Sequence, residues 1–554
     1  MRTMTEDASR GRIAFDGTST PVKTGLFLVV CFAWLLPGLV GHDPWKADEA
    51  VSFGTVVDML RSGDWVLFRI AGEPYLERAP LFLWVAALLA RALGGVMALH
   101  DAARLAAGVF MMSTLGLLWA ATRELLGTRA VRLAVFLFIG CLGLLIRAHE
   151  MSPDLAGLTG IALGIYGLAL SLRRPVAGGA LAGAGIGVGF LGNGFLPLGM
   201  LLALVALLPV AGAEWRGRRY AITAAVALAC AVPLVLSWPL ALAQRSPELL
   251  ALWLHGSAGP RWSNPFTGGG PAILYFSRIL PWYAWPAWPL AAWTLWRSRK
   301  RLRVRTDLQL PLVAFVAFFI VIAFCAEARE ANALPLLVPL AILGVADLES
   351  LPRGAASALD WFGMTTFFLF AALLWVGWFA AISGRPQFAV ALINREVPDF
   401  HYRFNFIAFA FAAALTLMWL VAVLRSLRSN RRALVNWTAG ITMVWMLIMT
   451  LGVPLVDQAR SYRVLAGKMV EAMPGAPRCI ARHNVGDAQR ALLDYFVNLE
   501  TVRDDSPASA RCAVLLAQTT PTRAPDVAAE WGEIWRGSRP GDRSEVFVLY
   551  ERRK

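Results

Sequence analysis

Apolar runs close to the roughly 20 residues needed to cross a hydrocarbon core recur from Thr24 almost to Val456, and they constrain the fold more than any other feature. Backbone in lipid must satisfy its own hydrogen bonds, so runs of this length and number commit the chain to a bundle of helices. Composition agrees, with 57% of the 554 residues hydrophobic and 16% charged, where soluble domains hold roughly 45–50% and about 25%. The expected fold class is an all-α polytopic membrane protein.

Candidate spans are 24–40, 102–121, 130–148, 154–172, 176–192, 195–211, 219–243, 272–296, 309–325, 333–348, 359–383, 404–425 and 435–455. A further run, Pro80–Leu99, would raise the count from 13 to 14. Loop charge decides between them. With 13 spans and a cytoplasmic N-terminus, the clusters at Arg123/Arg129/Arg132, Arg173/Arg174, Arg216/Arg218/Arg219, Arg297 to Arg305, Arg353 and Arg425/Arg428/Arg431/Arg432 all fall on the cytoplasmic side, as the positive-inside rule requires. With 14 they would all lie outside. Pro80–Leu99 is therefore expected to lie at the outer interface, where Arg91 and the Gly94–Gly95 pair suit it. The net charge of +15 is then loop charge, and no nucleic-acid partner is expected. No cleavage-like site follows Val40, so the first run reads as a retained helix.

Three parts follow: a cytoplasmic N-terminus (1–23), a transmembrane domain (24–456) with external loop 41–99, and an external domain (457–554). Gly41–Arg78 holds seven acidic and four basic residues, unlike any cytoplasmic loop, so a folded loop carrying the active site is expected there. After Val456 hydropathy falls. "SYRVLAGKMVEAM" and "AQRALLDYFVNL" have helical spacing, and "RCIARHN", "CAVLLAQ" and "EVFVLYER" read as strands around a helix in "APDVAAEWGEIWRG". That is a small α/β domain. Cys31, Cys141, Cys230 and Cys325 lie in apolar runs as core residues, whereas Cys479 and Cys512 would form a disulfide in an oxidising compartment.

Charged residues at the outer lip are the candidate site. Asp48 and Glu49 suit a general base or orienting carboxylate, or the acidic first turn of a helix. Glu77 and Arg78 precede an apolar helix, where a guanidinium can fork onto phosphate or snorkel. Asp154 stands just before a span, as a functional charge or an N-cap. Gln244–Pro271 adds His255 and Arg261, with Arg278 the next cation along the chain. No P-loop, strand–GxGxxG–helix unit or HExxH occurs, and six scattered histidines make no metal site. His42 beside Asp43 reads as a hydrogen-bonded pair.

The order Asp48–Glu49, "SGDW", "YLERAPLFLW" and "AARLAAG" resembles the GT-C glycosyltransferases, in the group of protein O-mannosyltransferase-like and ArnT-like (lipid A aminoarabinose transferase) proteins. That loop in the family reads D-E, G-D-W, then Y-x-E-K-P-P-L-x-Y-W. The resemblance implies about 13 transmembrane helices, a periplasmic C-terminal α/β domain, a bacterial inner membrane and a monomer. It implies transfer of a sugar, with inversion, from a polyprenyl (undecaprenyl) phosphate donor to a lipid or glycolipid acceptor such as lipid A. Asp48 would be base or orienting group, Asp154 the second acid, and Tyr75, Glu77 and Arg78 would lie beside the donor phosphate. The sequence departs from the pattern at "ERAP", at Asn193 where a lysine is usual, and at Asn332 where a tyrosine is usual. Arg261, Arg278 or Arg329 would compensate. The family fold includes metal-using and metal-free members, so the resemblance leaves a divalent cation open, and Asp48, Glu49 and Asp154 would serve in either case. A protein O-glycosyltransferase, a lipid-linked sugar transporter and a scaffold are the competing readings.

Overall fold

The computed structural model describes residues 21–263, 270–398, 400–425, 429–475, 479–523, 525–528 and 530–553. Helix covers every expected span, yet fewer of them qualify as full crossings. Among the described residues, eight helices are long and apolar enough to cross a membrane, or nine if Val131–Ile139 and Leu142–His149, bent by 65°, form one span. The others are interrupted. Residues 272–296 divide into Gly270–Tyr283 and Ala287–Ser298, with Pro281 in the first piece and Pro286 at the break. Pro21–Leu35, Phe195–Ala211 and Leu334–Ala346 have 15, 17 and 13 residues. Pro80–Leu93 has 14 residues, about 21 Å of helix at 1.5 Å per residue, short of a roughly 30 Å hydrocarbon core.

Small residues set the closest packing. In the antiparallel pair Asp154–Ser171 and Pro175–Asn193, a Cβ on Gly160 would stand 2.3 Å from the backbone nitrogen of Gly189, and one on Gly185 would stand 2.4 Å from that of Gly164. Small residues along one stripe let the backbones touch, the usual device for helix association in lipid. The contact runs the length of both helices and brings the end of one, Asn193, to the start of the other, Asp154.

The C-terminal part is a five-stranded sheet of β3 (Ile480–His483), β4 (Val502–Arg503), β5 (Val514–Thr519), β6 (Trp531–Arg539) and β7 (Asp542–Arg552), in the order β4-β3-β5-β7-β6. A two-residue hairpin in the external loop supplies β1 (Arg69–Ile70) and β2 (Glu73–Pro74). β3 is parallel to β4 and β5, and β7 is antiparallel to β5 and β6. Alternate residues take opposite faces: Ile480, Val514, Leu516, Phe547 and Leu549 face one core, and Ala481, Leu515, Ala517 and Val548 face another. Cys479 and Cys512 are joined at the base of β3 and β5, with Cα atoms 4.7 Å apart.

One expectation fails here. The helix expected in "APDVAAEWGEIWRG" is not formed: its second half is β6, running from Trp531 and paired along β7, and 525–528 have no regular structure. Gly532 and Gly537 weaken helix, and pairing with β7 satisfies the backbone groups that helix would have satisfied.

The first core also takes in Ala50, Val51, Ile70 and Tyr75 from the external loop. A Cβ on Gly54 would lie 2.4 Å from the Cβ of Ala491, so the helices Asp48–Ser62 and Asp487–Val497 meet almost backbone to backbone. Arg61 bonds Asp494 at 2.7 Å and Lys46 bonds Glu545 at 3.1 Å. Loop and sheet domain therefore fold as one packed unit.

Candidate active site

The Asp48–Ser62 helix carries both acids in its first turn, where the unpaired N–H groups favour negative charge. Neighbours on a helix diverge by about 100°, and these two go to different partners. Glu49 turns inward at 3% exposure, accepting from Arg104 Nε at 2.5 Å and from the Trp45 backbone N–H at 3.0 Å. Arg104 is itself wholly buried and bonds Asp101 at 2.7 Å and the His42 carbonyl at 3.0 Å. Glu49 is thus half of a buried ion pair pinning the loop to the Leu99–Leu126 helix, which corrects the expectation grouping it with Asp48 and Asp154. Asp43 likewise bonds Ser461 at 2.6 Å and pairs with Arg463, while the His42 ring meets the backbone oxygens of Asp43 at 2.8 Å and Gly38 at 3.1 Å.

Asp48 turns the other way, into three arginines. Arg78 donates at 2.5 Å and Arg329 at 2.9 Å, and Arg147 stands at 3.5 Å. Burial works against ionisation of Asp48, but the charges of Arg78, Arg329 and Arg147 outweigh it and hold the carboxyl below its ordinary range. Arg78 does not snorkel. Its side chain is 11% exposed, and its buried Nε has no hydrogen-bond partner among the described residues. Arg329 also reaches toward Asp154, at 3.7 Å. Asp154 caps nothing; it accepts from Ser152 Oγ at 2.6 Å and Asn193 Nδ2 at 2.7 Å. The asparagine in the family's lysine position is therefore a partner of the second acid.

These groups back a cavity of about 1390 Å³ between bundle and sheet domain. Tyr75, Glu77, Arg78, Asn193, His255, Arg329 and Asn332 line it, and Asp48 and Asp154 stand directly behind the two arginines. The Tyr75 hydroxyl donates to Glu77 at 3.0 Å, and Asn332 donates to the Glu327 carbonyl at 2.9 Å. Arg278 is exposed on its helix and takes no part in the lining. The side chain of Arg261 lies outside the described residues. Among the described residues no three His, Cys, Asp or Glu side chains converge as a metal would require, and a carboxylate flanked by guanidinium groups suits an anion better than a cation.

Two contributions were not anticipated. Arg147 belongs to the Asp48 cluster, and its signal was its place seven residues before Asp154 at a span boundary. Arg482, His483, Arg490, Arg503 and Asp504 of the sheet domain also line the cavity. Arg482 and Arg490 bond Glu73 at 2.7 and 3.1 Å, holding the hairpin that leads into Tyr75–Arg78.

Comparisons with known proteins agree with this architecture. The profile of the family described as dolichyl-phosphate-mannose-protein mannosyltransferase matches residues 77–238. The undecaprenyl phosphate-alpha-4-amino-4-deoxy-L-arabinose arabinosyl transferase of Serratia proteamaculans is 27% identical over 58% of this chain and 59% of its own length. Its counterpart in Edwardsiella ictaluri is 27% identical over 65% and 66%. The chain thus spans less than two thirds of the length of these relatives. The crystal structure of ArnT from Cupriavidus metallidurans bound to undecaprenyl phosphate superposes with a TM-score of 0.69 at 17% identity, covering 96% of this chain and 98% of that one. The chain is a multi-pass membrane protein that shares its fold with that structure, and over residues 77–238 it is similar to that mannosyltransferase family.

Proposed function

We propose that the protein is an integral membrane glycosyltransferase that moves a sugar from undecaprenyl phosphate to a lipid-anchored acceptor, lipid A or another glycolipid. The reaction runs at the periplasmic face of the inner membrane, with the N-terminus cytoplasmic, and the chain acts as a monomer. The observation that carries this reading is the arrangement of Arg78 and Arg329 on the cavity wall, both held from behind by Asp48. Breaking a glycosyl–phosphate bond concentrates charge on the departing phosphate, and fixed cations beside it stabilise that charge. Arg78 has a buried Nε–H to offer, and Arg329 stands in for the missing lysine. Asp48 keeps both guanidinium groups in place. As a carboxyl held ionised it is a weak base, so its larger role is orientation of the arginines and of the acceptor nucleophile. Asp154, fixed by Ser152 and Asn193, is the second acid. The Cys479–Cys512 disulfide supports an oxidising compartment for the C-terminal domain.

A hydroxyl-bearing protein acceptor is the second reading, favoured by the family description matched at residues 77–238. The test is purification from native membrane with identification of bound lipids by mass spectrometry. Undecaprenyl phosphate, or its glycosylated form, is expected on the wild type and lost from Arg78→Ala. Ordinary phospholipid alone on both proteins would sink the proposal.

A further inference from the structure

The cavity exceeds the needs of one sugar phosphate: small-molecule sites occupy about 300–1,000 Å³, and this one holds about 1390 Å³. Its two walls differ in chemistry. The bundle wall carries Arg78 and Arg329. The sheet-domain wall is built where the carboxyl ends of the parallel strands β3 and β4 meet it, at His483–Asn484 and Arg503–Asp504–Asp505. Crevices at the carboxyl ends of parallel strands are a recurrent place for ligands, because the chain must turn there and exposes backbone and side-chain polar groups.

Resting on the function proposed above, we infer that this second wall is the acceptor subsite, and that it holds the hydroxyl-bearing sugar part of the acceptor headgroup rather than its anionic groups or a peptide. The charge balance is the first reason. Arg482, Arg490 and Arg503 face Glu73, Asp487, Asp504 and Asp505, so no positive surplus exists for phosphate. Arg482 and Arg490 are also committed to Glu73, at 2.7 and 3.1 Å. The second reason is the fixed pattern of donors and acceptors. Asp504 Oδ2 meets His483 Nδ1 at 2.5 Å, and Asn484 Nδ2 meets His483 Nε2 at 2.9 Å. The Asp504 backbone N–H bonds the Arg482 carbonyl at 3.1 Å, which ties the two strand ends together. This leaves the second oxygen of Asp504 and the amide oxygen of Asn484 on the cavity rim, beside the Arg503 guanidinium, whose Nε stands 3.7 Å from Asp505. Mixed acceptors and forked donors suit vicinal hydroxyls, each of which both donates and accepts. The third reason lies on the bundle side, where the half-buried Phe195, backed at 5.3 Å by the buried Trp253, supplies an apolar surface for a sugar ring.

The experiment uses the full chain in detergent and native mass spectrometry with three probes: undecaprenyl phosphate, the glucosamine-based glycolipid Kdo2-lipid A, and phosphatidylglycerol as a sugar-free anionic lipid. The double variant Asp504→Asn/Arg503→Gln, at exposed positions, is expected to lose tenfold or more in glycolipid retention. Undecaprenyl phosphate, phosphatidylglycerol and thermal midpoint should stay unchanged. Asn484→Ala should lose glycolipid retention in the same sense. Equal retention in wild type and variants overturns the inference, as does a wild type that retains no glycolipid. Parallel loss of phosphatidylglycerol overturns carbohydrate recognition in favour of a plain anion site. If the wild type retains the glycolipid but no undecaprenyl phosphate, the donor assignment falls while this subsite stands.

Discussion

Two carboxylates adjacent in sequence should fail in opposite ways. Glu49→Gln removes the charge from a pair in which Glu49 is 3% and Arg104 0% exposed, at 2.5 Å. Removing one partner of a buried pair costs about 3–5 kcal/mol, because the other charge is left uncompensated. Asp101 still bonds Arg104 at 2.7 Å, as does the His42 carbonyl at 3.0 Å, so the expected loss is at the lower end, about 3 kcal/mol. That should lower the midpoint of thermal unfolding in detergent by roughly 2–3 °C, since the shift per kcal/mol shrinks as the chain lengthens. Asp48→Asn removes a carboxylate that is 18% exposed and faced by three arginines. Losing that charge leaves three like cations to repel one another, but the wet cavity beside them screens part of the cost, so stability should fall by about 1–2 kcal/mol, less than for Glu49→Gln. Transfer, however, should fall by about 100-fold or more, the scale seen when a group that orients the reacting centre is lost. Thermal midpoint by fluorescence-detected gel filtration, read beside transfer or donor retention, separates the two. A Glu49→Gln protein as stable as wild type, or an Asp48→Asn protein that keeps wild-type transfer, would refute the division of labour between them.

Three further outcomes follow from the same geometry. Arg78→Ala and Arg329→Ala should each weaken undecaprenyl phosphate retention by about 10–100-fold, as expected for one charge-assisted contact, whereas Arg278→Ala should leave it unchanged; lipid mass spectrometry reads all three. Burial pushes the Glu150 carboxyl up to about 7 against the opposing pull of Arg147. The folded protein then holds a proton that the unfolded chain has released, so stability should fall as pH rises from about 4.5 to about 7. Thermal midpoints across that window should show this slope in wild type and lose it in Glu150→Gln. Gly54→Val should push apart the helices Asp48–Ser62 and Asp487–Val497, where even a Cβ would sit 2.4 Å from Ala491. The expected readouts are faster proteolysis between bundle and sheet domain and lost transfer, with the protein still inserted in the membrane.

Much of this was legible in the chain alone. Apolar runs near membrane length, punctuated by arginine clusters, determine a helical bundle, because lipid offers the backbone no other hydrogen-bond partner. The small residues facing across Asp154–Ser171 and Pro175–Asn193 determine that those helices touch. Short apolar runs marked β5 and β7 as strands, and the acidic loop announced where polar chemistry would stand. The sequence did not separate Asp48 from Glu49, since both suit a helix start and only packing decides which faces Arg104 and which faces Arg78. Nor did it show β6, whose strand form depends on pairing with β7. Arg329 and Arg147 reach Asp48 from 281 and 99 residues away in sequence, and Arg490 reaches Glu73 from 417. Contacts of that range leave no local pattern. They come from bundle and sheet domain closing on one loop, and tertiary structure alone made them a site.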